Sequence, residues 1–409
     1  MKIIVKKFGG TSLSDIDRIN RAISYIKKTK SAGYKVVIVV SAMGKETDRL
    51  LTLTDNLEEY RESDDLSALL SAGEQISSSI FSIMLHKQKI KGQSFQGWQV
   101  PILTNSGPNN AYIESIDTKQ IIKSLKLGMT PIISGFQGIN KDNRITTLGR
   151  GGSDTTAVAL AAKLNAVRCD IYTDVDGVYS ADPRIVKEAK KINKINYEEM
   201  LELSSLGAKV LHTRSVQLAL KYNVPLQVLS SFTGKAGTML AKQNKNLEQQ
   251  IIRGIAHSNN EALITLIGIK NKPGISALIF SALSNEGISV DMIVQSGSTV
   301  DSTVTYAFTV AKADANKSKN IMDSLEKKLN FTNVLINKSI CKVSIVGLGM
   351  KTNAGVADRM FSELAKNNIN IHVISTSEIK ISVLIDDKYK ELAIRSLHTT
   401  FKLSKTKIK

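Results

Sequence analysis

The chain is poor in the residues that mark secreted, metal-clustered and membrane-spanning proteins. Its only cysteines are Cys169 and Cys341, too few for a disulfide framework or a cysteine metal cluster, which suits a reducing compartment. The longest apolar run, near residues 36–40, is far shorter than the roughly 20 residues of a membrane-spanning helix. The first residues follow a strand pattern and not that of a signal sequence. We therefore expect a cytoplasmic chain with no membrane partner.

Arginine is scarce although the chain is strongly basic. The formal net charge is +18, but lysine outnumbers arginine by 43 to 12, and the excess charge is spread over both halves of the chain. Specific contacts to nucleic acid favour arginine, whose guanidinium binds bases and phosphates through paired hydrogen bonds. The composition is typical of a lysine-rich solvated surface, and we expect no nucleic-acid partner.

Length and periodicity predict more than one domain. The 409 residues are too many for one ordinary core, so two or three domains are expected. Over about the first 230 residues, short β-branched runs alternate with helical patterns, as in a mostly parallel sheet covered by helices. Isoleucines recur at helical spacing between residues 16 and 26, after Ser14 and Asp15, which can cap a helix. Strands are predicted at residues 2–7, 35–41, 131–136, 169–173 and 225–229.

A glycine-rich turn follows the first predicted strand. Residues 7–12 are Lys-Phe-Gly-Gly-Thr-Ser. Glycines let backbone N–H groups approach an anion closely, a following helix start adds a positive dipole end, and Lys7 supplies a mobile charge. The pattern is suitable for a phosphate-binding loop, although an ordinary strand-to-helix turn is the better explanation when the two glycines are taken alone.

Two weaker polar clusters come next. Ser41 and Thr47 follow the second predicted strand, where small hydroxyl residues can line a substrate pocket or form a plain turn. Glu74, in the Ser-Ala-Gly-Glu of residues 71–74, lies near the start of a helical pattern, where a carboxylate serves equally well as a cap or as a ligand contact.

A second glycine-rich segment, residues 147–156, is more specific. Arg150 lies among glycines just before a helical pattern, and arginine is suited to gripping a carboxylate through two hydrogen bonds. Asp154 is placed to face a metal ion. Capping of the helix explains Ser153 or Asp154 but not Arg150, so a functional interpretation is favoured.

The last cluster, residues 173–184, follows the fourth predicted strand. It combines acidic, aromatic and basic residues that suit the ribose, base and phosphates of a nucleotide, although Asp176-Gly177 is equally consistent with a simple turn. The five histidines are scattered without ligand spacing, and we assign none of them a chemical role. A Walker-type phosphate loop is absent from the sequence.

The final third of the chain contains an internal repeat. Each copy follows a βαββαβ pattern, with a glycine turn between its first strand and first helix. A duplicated small module of this kind can pair its sheets and form a cleft for a small ligand, and we favour ligand binding over a purely oligomerising role. Three pairs of matching residues lie 81 positions apart: Gly274 and Gly355, Phe280 and Phe361, and Ser296 and Ser377.

These motifs, in this order, resemble those of the aspartokinases in the amino acid kinase family, over almost the whole chain. The resemblance implies an open, mostly parallel eight-stranded α/β sheet between helices, followed by two ferredoxin-like ACT domains that bind end-product amino acids. The implied activity is phosphorylation of the side-chain carboxylate of L-aspartate to 4-phospho-L-aspartate, with ATP and Mg²⁺ as cofactors. It would be the first step towards lysine, threonine and methionine. The resemblance is carried by residues 7–12, 71–74, 149–154 and 173–184.

Carried over by position, the resemblance implies a role for each motif residue. Lys7 and Asp154 would be catalytic, and Asp154 would also contact Mg²⁺. L-aspartate would be bound by Thr47, Glu74, Arg150, Gly151, Gly152 and Ser153. ATP would be bound by Lys7, Phe8, Gly9, Gly10, Ser41, Thr173, Asp174, Tyr179, Asp182, Arg184, Lys209 and Val210.

The resemblance also implies an inhibitor site in the repeated modules. The chain departs from the family pattern at Asn271, where an acidic residue is common, and at Asn353-Ala354, where His-Pro is common, so the identity of the inhibiting amino acid stays open between lysine and threonine. The implied allosteric residues are Asn271, Gly274, Ile275, Ser276, Ala277, Gln295, Asn370, Ile371, Thr376, Ser377 and Glu378.

The resemblance and the repeat together predict the domain boundaries. We expect a catalytic domain at 1–234, a linker at 235–260, and ACT domains at 261–338 and 339–409. We expect a homo-oligomer through the ACT domains. The resemblance to some family members would also allow a separately translated regulatory chain that starts at Met239. The alternatives are another carboxylate kinase of the family, acting on acetylglutamate or glutamate, and a catalytically silent amino-acid sensor.

Overall fold

The computed structural model describes residues 1–54, 63–206, 210–242, 251–297, 303–348, 350, 353 and 355–404. The chain divides into two compact units. The first unit contains Met1–Tyr179 and Lys191–Glu248, and the second contains Ser180–Lys190 and Gln249–Lys409. The chain therefore enters the second unit for eleven residues, returns to the first, and crosses again near residue 249.

An eight-stranded sheet forms the centre of the first unit. All neighbouring strands are parallel except one antiparallel pair, β11 with β12. The five predicted strands are present within two residues of their expected ends, and the predicted α/β fold is confirmed. In sheet order the strands are β10 (Lys194–Ile195), β12 (Ala236–Leu240), β11 (Leu226–Ser230), β9 (Arg168–Thr173), β1 (Ile3–Phe8), β2 (Lys35–Val40), β6 (Thr130–Ser134) and β3 (Gly92–Phe95).

Helices and a smaller sheet surround these strands. The small sheet, in the order β5-β4-β7-β8, is made of β4 (Ile102–Thr104), β5 (Ile113–Ile116), β7 (Gln137–Ile139) and β8 (Ile145–Thr147). The helices of the first unit are α1 (Ile16–Ser31), α2 (Glu46–Thr52), α3 (Asp64–Lys87), α4 (Lys119–Lys126), α5 (Gly152–Lys163), α6 (Tyr197–Ser205) and α7 (Thr213–Tyr222).

Helix α1 shows how the sequence pattern sets the packing. Asp15 caps it by accepting a hydrogen bond of 2.9 Å from the backbone N–H of Arg18. Ile19, Ile23 and Ile26 are fully buried because a spacing of three and four residues places them on one face of the helix. That face packs on the sheet, and its removal from water stabilises the first unit by the hydrophobic effect.

Helix α3 is the one described helix that is long and apolar enough to cross a membrane, by length and composition alone. More than half of its most apolar window is buried inside the protein, and Phe81 and Leu85 are fully buried in the sheet core. An apolar helix with these contacts is a core helix of the first unit.

The first repeated module is complete in itself. Its strands are ordered β15-β16-β14-β17, and α8 and α9 cover one face over a core that includes Ile264, Leu283 and Phe308. The predicted βαββαβ order is therefore present. Its elements are β14 (Glu261–Lys270), α8 (Ile275–Asn285), β15 (Val290–Gly297), β16 (Thr303–Ala311), α9 (Ala315–Ser324), the short α10 (Glu326–Leu329) and β17 (Asn333–Asn337).

The second module takes its last strand from elsewhere in the chain. Gly254–Ser258, here β13, pairs antiparallel with β18, so the order β19-β20-β18-β13 reproduces that of the first module. Hydrogen bonds along β13 satisfy backbone groups that would otherwise form an exposed sheet edge. The module's own elements are β18 (Ile340–Val346), α11 (Val356–Lys366), β19 (Val373–Thr376), β20 (Lys380–Asp386) and α12 (Lys390–Thr400).

These pairings correct the expected linker at 235–260. Residues 236–240 form β12 of the large sheet, so Met239 lies in a strand of the first unit. Residues 254–258 form β13 of the second module. The linker prediction relied on polar composition, which does not reveal that two distant sheets each lack one strand. The segment between these strands lies mostly outside the described residues.

Candidate active site

Several parallel strands of the first unit end at one edge of the large sheet, where open α/β sheets bind ligands. Strands β1, β2, β6 and β9 end there at Phe8, Val40, Ser134 and Thr173. Residues that follow β1 and β2 and precede α5 line a cleft of about 710 Å³. Ten of the predicted site residues line it: Lys7, Gly10, Ser41, Thr47, Glu74, Arg150, Gly151, Gly152, Ser153 and Asp154.

An ion pair lies at the end of β1. Lys7 Nζ is 2.7 Å from Asp154 Oδ1, and each side chain retains only 12% of its exposure. Asp154 comes from the first turn of α5. The neighbouring Lys6 points to the opposite face of the sheet, as alternation along a strand requires, and pairs there with Asp170 at 2.7 Å. The two predicted catalytic residues are therefore in direct contact.

Gly10 is required by the close approach of two loops. A Cβ atom at this position would lie 2.7 Å from the Ala42 carbonyl oxygen and 3.0 Å from that of Gly44, closer than side chains pack. The Gly10 carbonyl accepts a hydrogen bond of 3.0 Å from the Gly44 N–H. The loop after β1 is thus held against the loop after β2, which leaves the cleft open beside Lys7.

The arginine-containing loop also depends on glycine. Gly149 and Gly151 have φ angles of +73° and +70°, the left-handed region that glycine adopts without strain. A Cβ atom on Gly151 would lie 2.2 Å from the His212 ring. Between these glycines Arg150 is exposed at the cleft, and no hydrogen bond or ion pair to the described residues engages its guanidinium. Its donors are available to an anionic ligand.

Glu74 places a buried carboxyl group in the cleft wall. It is 3% exposed, and its Oε1 accepts a hydrogen bond of 3.0 Å from the Ala42 N–H. Its Oε2 has no hydrogen-bond partner among the described residues. Burial raises the pKa of Glu74 to about 8, opposed by the Ala42 hydrogen bond and by the charge of Lys7. The free site therefore holds a mostly protonated carboxyl group at neutral pH.

The predicted nucleotide-binding segment begins at the end of β9. The Thr173 hydroxyl donates to the Asp174 carboxylate at 3.1 Å, and the Tyr179 hydroxyl donates to Asp176 at 2.8 Å. Gly9 lies beside this segment, because its N–H donates to the Tyr172 carbonyl at 3.3 Å. The loops after β1 and β9 are therefore neighbours at the same sheet edge, although Thr173, Asp174 and Tyr179 do not line the cleft itself.

Other predicted ATP contacts are placed differently. Phe8 is fully buried and stacks on Phe81 and Tyr172, with ring centroids 5.8 and 4.7 Å apart, so its side chain belongs to the core. Side chains alternate between the two faces of β1, so Phe8 faces the core because Lys7 faces the cleft. Val210 is half-buried and is not part of the cleft lining. Asp182 and Arg184 belong to the second unit, where they pair at 2.7 Å, and Lys209 lies outside the described residues.

Several residues of the site carry no sequence signal of their own. His212, which we expected to have no role, packs on the backbone of Gly151, and burial lowers its pKa. Arg214 donates to the Leu148 carbonyl at 2.7 Å and also to the Ala111 carbonyl, so it fixes the start of the arginine-containing loop. The cleft lining also includes Asp48, Asn109, Asn110, Phe136 and Thr147. The order of polar residues along one sequence does not reveal such contacts between distant segments.

The predicted inhibitor-binding residues lie in both modules of the second unit. In the first module, residues 271–277 lead into α8, and the Ser276 hydroxyl is 2.8 Å from that of Tyr306. Gln295 lies on β15, an edge strand. In the second module, residues 370–371 precede β19, Thr376 is its last residue, and residues 377–378 follow it. Ser377 holds the turn after β19 by accepting from the N–H groups of residues 379 and 380 at 3.3 and 3.2 Å.

The fold and the cleft define a class of protein. An open, mostly parallel sheet with glycine loops, a lysine and buried carboxyl groups at its strand ends, in a chain that continues into two small α/β modules, is the arrangement of a small-molecule kinase with appended modules. The model of the amino acid kinase family matches residues 2–230, and that of the ACT domain matches residues 264–324 and 343–401.

Similarity to known proteins extends over the whole chain. An aspartokinase of Pseudomonas aeruginosa is 47% identical over 405 residues, which are 98% of each chain, and an aspartate kinase of Stutzerimonas stutzeri is 46% identical with the same coverage. The crystal structure of Escherichia coli aspartokinase III with aspartate and ADP has a TM-score of 0.81 at 28% identity, covering 98% of this chain and 99% of that one. The crystal structure of that enzyme with lysine and aspartate has a TM-score of 0.78 at 28% identity, covering 98% of this chain and 100% of that one. The chain belongs to the amino acid kinase family, among its ACT-containing aspartate kinases.

Because the Phe8 ring is buried and does not face the cleft, its replacement should lower the stability of the protein without weakening ATP binding. Phe8→Leu should lower the free energy of unfolding by about 1 to 2 kcal/mol, because a buried ring is replaced by a smaller side chain. The KM for ATP should stay within about two-fold of the wild type, as the ring does not face the cleft. Urea unfolding and steady-state kinetics measure the two effects. A large rise in KM at unchanged stability would return Phe8 to the nucleotide site.

The raised pKa of Glu74 predicts a pH dependence of stability. An unfolded glutamate titrates near 4.3, so between that pH and about 8 the folded chain binds the extra proton and stability falls as pH rises, by at most about 1.4 kcal/mol per pH unit. Glu74→Gln should flatten this dependence, whereas Glu114→Gln, at an exposed position, should leave it unchanged. Urea unfolding at pH 5, 6, 7 and 8 tests this. Equal slopes for wild type and Glu74→Gln would contradict the burial argument.

Proposed function

We propose that this chain transfers the γ-phosphoryl group of ATP to the side-chain carboxylate of L-aspartate, giving 4-phospho-L-aspartate, under feedback control by amino acids that bind the ACT modules. The observation that carries the proposal is the cleft at the ends of β1 and β2. It joins a buried lysine–aspartate ion pair, an exposed arginine and a buried carboxyl group in one space. The full-length similarity to aspartate kinases supports the same reaction.

The cleft offers complementary groups for each end of aspartate. Arg150 is suited to the α-carboxylate, since its planar guanidinium can form two hydrogen bonds to one carboxylate. The unpartnered Oε2 of Glu74 is suited to the α-ammonium group, whose charge would favour ionisation of the carboxyl. Thr47 and Ser153 line the same cleft. With both ends held, the side-chain carboxylate is left for the reaction.

ATP would lie along the same edge of the sheet, towards β9. Backbone N–H groups of the loop at Gly9 and Gly10, with the charge of Lys7, suit its phosphates. The loop at residues 173–179 suits the ribose and base, and Ser41, which follows β2 and lines the cleft, is a further proposed ATP contact. Contacts from Asp182, Arg184, Lys209 and Val210 are proposed on the resemblance alone.

The reaction requires no general base. The side-chain carboxylate of aspartate has an ordinary pKa near 3.9 and is already ionised at neutral pH. The barrier comes from bringing this anion to a triphosphate and from charge on the transferring group. Lys7 would neutralise part of that charge, and Asp154 holds Lys7 in position, while Arg150 and Glu74 orient the nucleophile. The acyl phosphate product hydrolyses readily, so closure of the cleft against water should accompany turnover.

The residues of the cleft fit a magnesium ion bound together with ATP. Asp154 presents a carboxylate beside Lys7, and oxygen ligands are those that Mg²⁺ prefers. Within the described ranges, no group of three or more histidine, cysteine or acidic side chains could hold a metal by itself. Mg²⁺ would therefore be held by Asp154 and by phosphate oxygens, and would supply neutralisation of phosphate charge.

The second unit supplies the regulatory site. Lysine and threonine are the proposed inhibitors, bound at residues 271–277 and Gln295 of the first module and at residues 370–371 and 376–378 of the second. Edge strands β15 and β19 are available for pairing with a second copy of the chain, which supports a homo-oligomer. The proposed substrates are metabolites of the cytoplasm, and we infer that the enzyme acts there.

Replacement of Lys7 tests the catalytic assignment. Lys7→Ala should lower kcat by at least about 100-fold, because a charge that stabilises the transition state is lost from a buried site. Lys45→Ala, which removes an exposed lysine beside the cleft, is the matched control and should retain activity. ADP formation with aspartate, glutamate and acetylglutamate measures both the rate and the choice of substrate. Near-normal turnover by folded Lys7→Ala, or preference for another acceptor, would contradict the proposal.

Replacement of Ser377 tests the inhibitor site. Ser377→Ala should raise the concentration of lysine or threonine that halves activity by about three-fold or more, since the turn at the proposed site loses two hydrogen bonds. Ser362→Ala, on the exposed face of α11, is the control. Inhibition curves with each amino acid and with both together give the comparison. Identical curves for wild type and Ser377→Ala would place the inhibitor elsewhere.

A further inference from the structure

Residues 180–190 form a short loop, here called the excursion, whose two ends are hydrogen-bonded to each other. Its two ends run antiparallel: Ile192 N–H donates to the Val178 carbonyl at 2.8 Å, Tyr179 bridges Lys191, and Ser180 N–H donates to the Lys190 carbonyl at 2.9 Å. The residues before and after the excursion belong to the first unit, and the excursion itself belongs to the second. Residues 173–179, proposed above to bind the nucleotide, lead directly into it.

Ser180 fixes the base of the excursion in the second unit. Its carbonyl accepts a hydrogen bond of 2.8 Å from Ile255 N–H on β13. Its hydroxyl lies 3.0 Å from His398 Nε2 on α12 and 3.2 Å from the Leu403 carbonyl, and it accepts from the Lys190 N–H at 2.9 Å. Ser180 and His398 are both almost completely buried. Burial lowers the pKa of His398, so the ring in this network is neutral at physiological pH.

The tip of the excursion is held by the same helix. The Arg395 guanidinium, one turn before His398 on α12, donates to the Ile185 carbonyl at 3.0 Å. Ala189 forms a bridge with Ser404, which follows α12. Ala181, Val186 and Ala189 are buried although they are part of an irregular segment. The partners of the excursion are therefore the last helix of the second module, the residues that follow it, and the strand β13 that completes its sheet.

Apart from Asp182 and Arg184, whose ATP contacts are proposed on the resemblance alone, no residue of the proposed reaction lies in the excursion. The excursion has a buried serine–histidine network and a backbone hydrogen bond to β13 of the second module, whose opposite edge strand, β19, ends at the proposed inhibitor residue Thr376. The loop is thus covalently continuous with the nucleotide segment and non-covalently part of the regulatory module.

We propose that residues 180–190 transmit feedback inhibition, with Ser180, Arg395 and His398 as positioning residues that make the nucleotide segment follow the second ACT module. The inference rests on the proposed function, since it concerns inhibition of the same enzyme. An inhibitor can change catalysis only by the difference in its affinity for two states of the chain, and a rigid attachment between the module and the loop supplies such a coupling. Loosening the attachment should weaken inhibition and leave uninhibited catalysis intact.

Two pairs of variants test the attachment. Arg395→Ala removes the exposed contact to Ile185, and Glu391→Gln is its control, because Arg395 also pairs with Glu391 at 2.8 Å. Ser180→Ala removes the buried network, and Ser396→Ala removes a hydroxyl of the same helix that bonds only within it, to the Ala393 carbonyl. His398→Gln, which can keep a polar group near the position of Nε2, should behave more like wild type than His398→Leu.

Inhibition curves with lysine, threonine and their mixture provide the first measurement. Arg395→Ala and Ser180→Ala should each raise the half-inhibitory concentration by about two- to ten-fold, the range expected when one hydrogen bond is lost from the coupling. Their kcat and KM for ATP without inhibitor should stay within about two-fold of wild type, and the two controls should be unchanged. A loss of uninhibited activity equal to the loss of inhibition would assign the contacts to plain structure and overturn the inference.

Hydrogen exchange provides a measurement that does not depend on catalysis. Addition of lysine or threonine to the wild type should change the exchange of peptides that cover residues 173–192, and Arg395→Ala should reduce this change. A wild type without aspartate-dependent ADP formation would refute the proposed function. A wild type that is active and inhibited, but whose exchange in this segment does not respond and whose variants are inhibited normally, would refute the transmission role alone.

Discussion

The backbone pairing of β1 on both sides is the constraint on which the rest of the active site depends. Because β1 is parallel to β2 and to β9, the loops that follow all three strands meet at one edge of the sheet. Alternation along β1 then separates its two lysines, so that Lys7 reaches Asp154 and Lys6 reaches Asp170 on the other face. A shift of β1 by one residue relative to its neighbours would exchange the positions of the two lysines. Lys7 would then lie in the core and no longer face the cleft.

The electrostatics of the cleft match a reaction between anions. Lys7, Arg150 and the N-terminal end of α5 provide positive charge where carboxylate and phosphate groups would meet. Asp154 restrains Lys7, and burial keeps Glu74 largely neutral in the free site. The free site thus avoids two fixed negative charges facing an anionic substrate.

The second small module completes its sheet with a strand from a distant part of the chain, and this pairing links the two modules. The first module pairs all four of its own strands, whereas the second needs β13, which precedes the first in sequence. The modules are therefore interlocked through the chain. A buried lysine joins them as well, since Lys342 on β18 pairs with Glu261 at 2.9 Å and also with Asp291, both of the first module. Opposite charges raise the pKa of Lys342 against the effect of burial, and the ion pairs connect the two sheets.

Periodicity and local chemistry made much of this protein predictable from its sequence. The strands of the large sheet, the capped helix α1, the glycine loops at Lys7 and Arg150 and the duplicated module all depend on residues close together in the chain, where spacing and glycine conformation leave few choices. Resemblance added the roles of those residues. What the tertiary structure decided depends on contacts between distant segments. Phe8 faces the core, Glu74 is buried and has a raised pKa, and His212 packs on Gly151. Strand β13 pairs in a sheet whose other strands lie more than eighty residues later in the chain. Burial and strand pairing depend on neighbours from distant segments, which no local sequence pattern records.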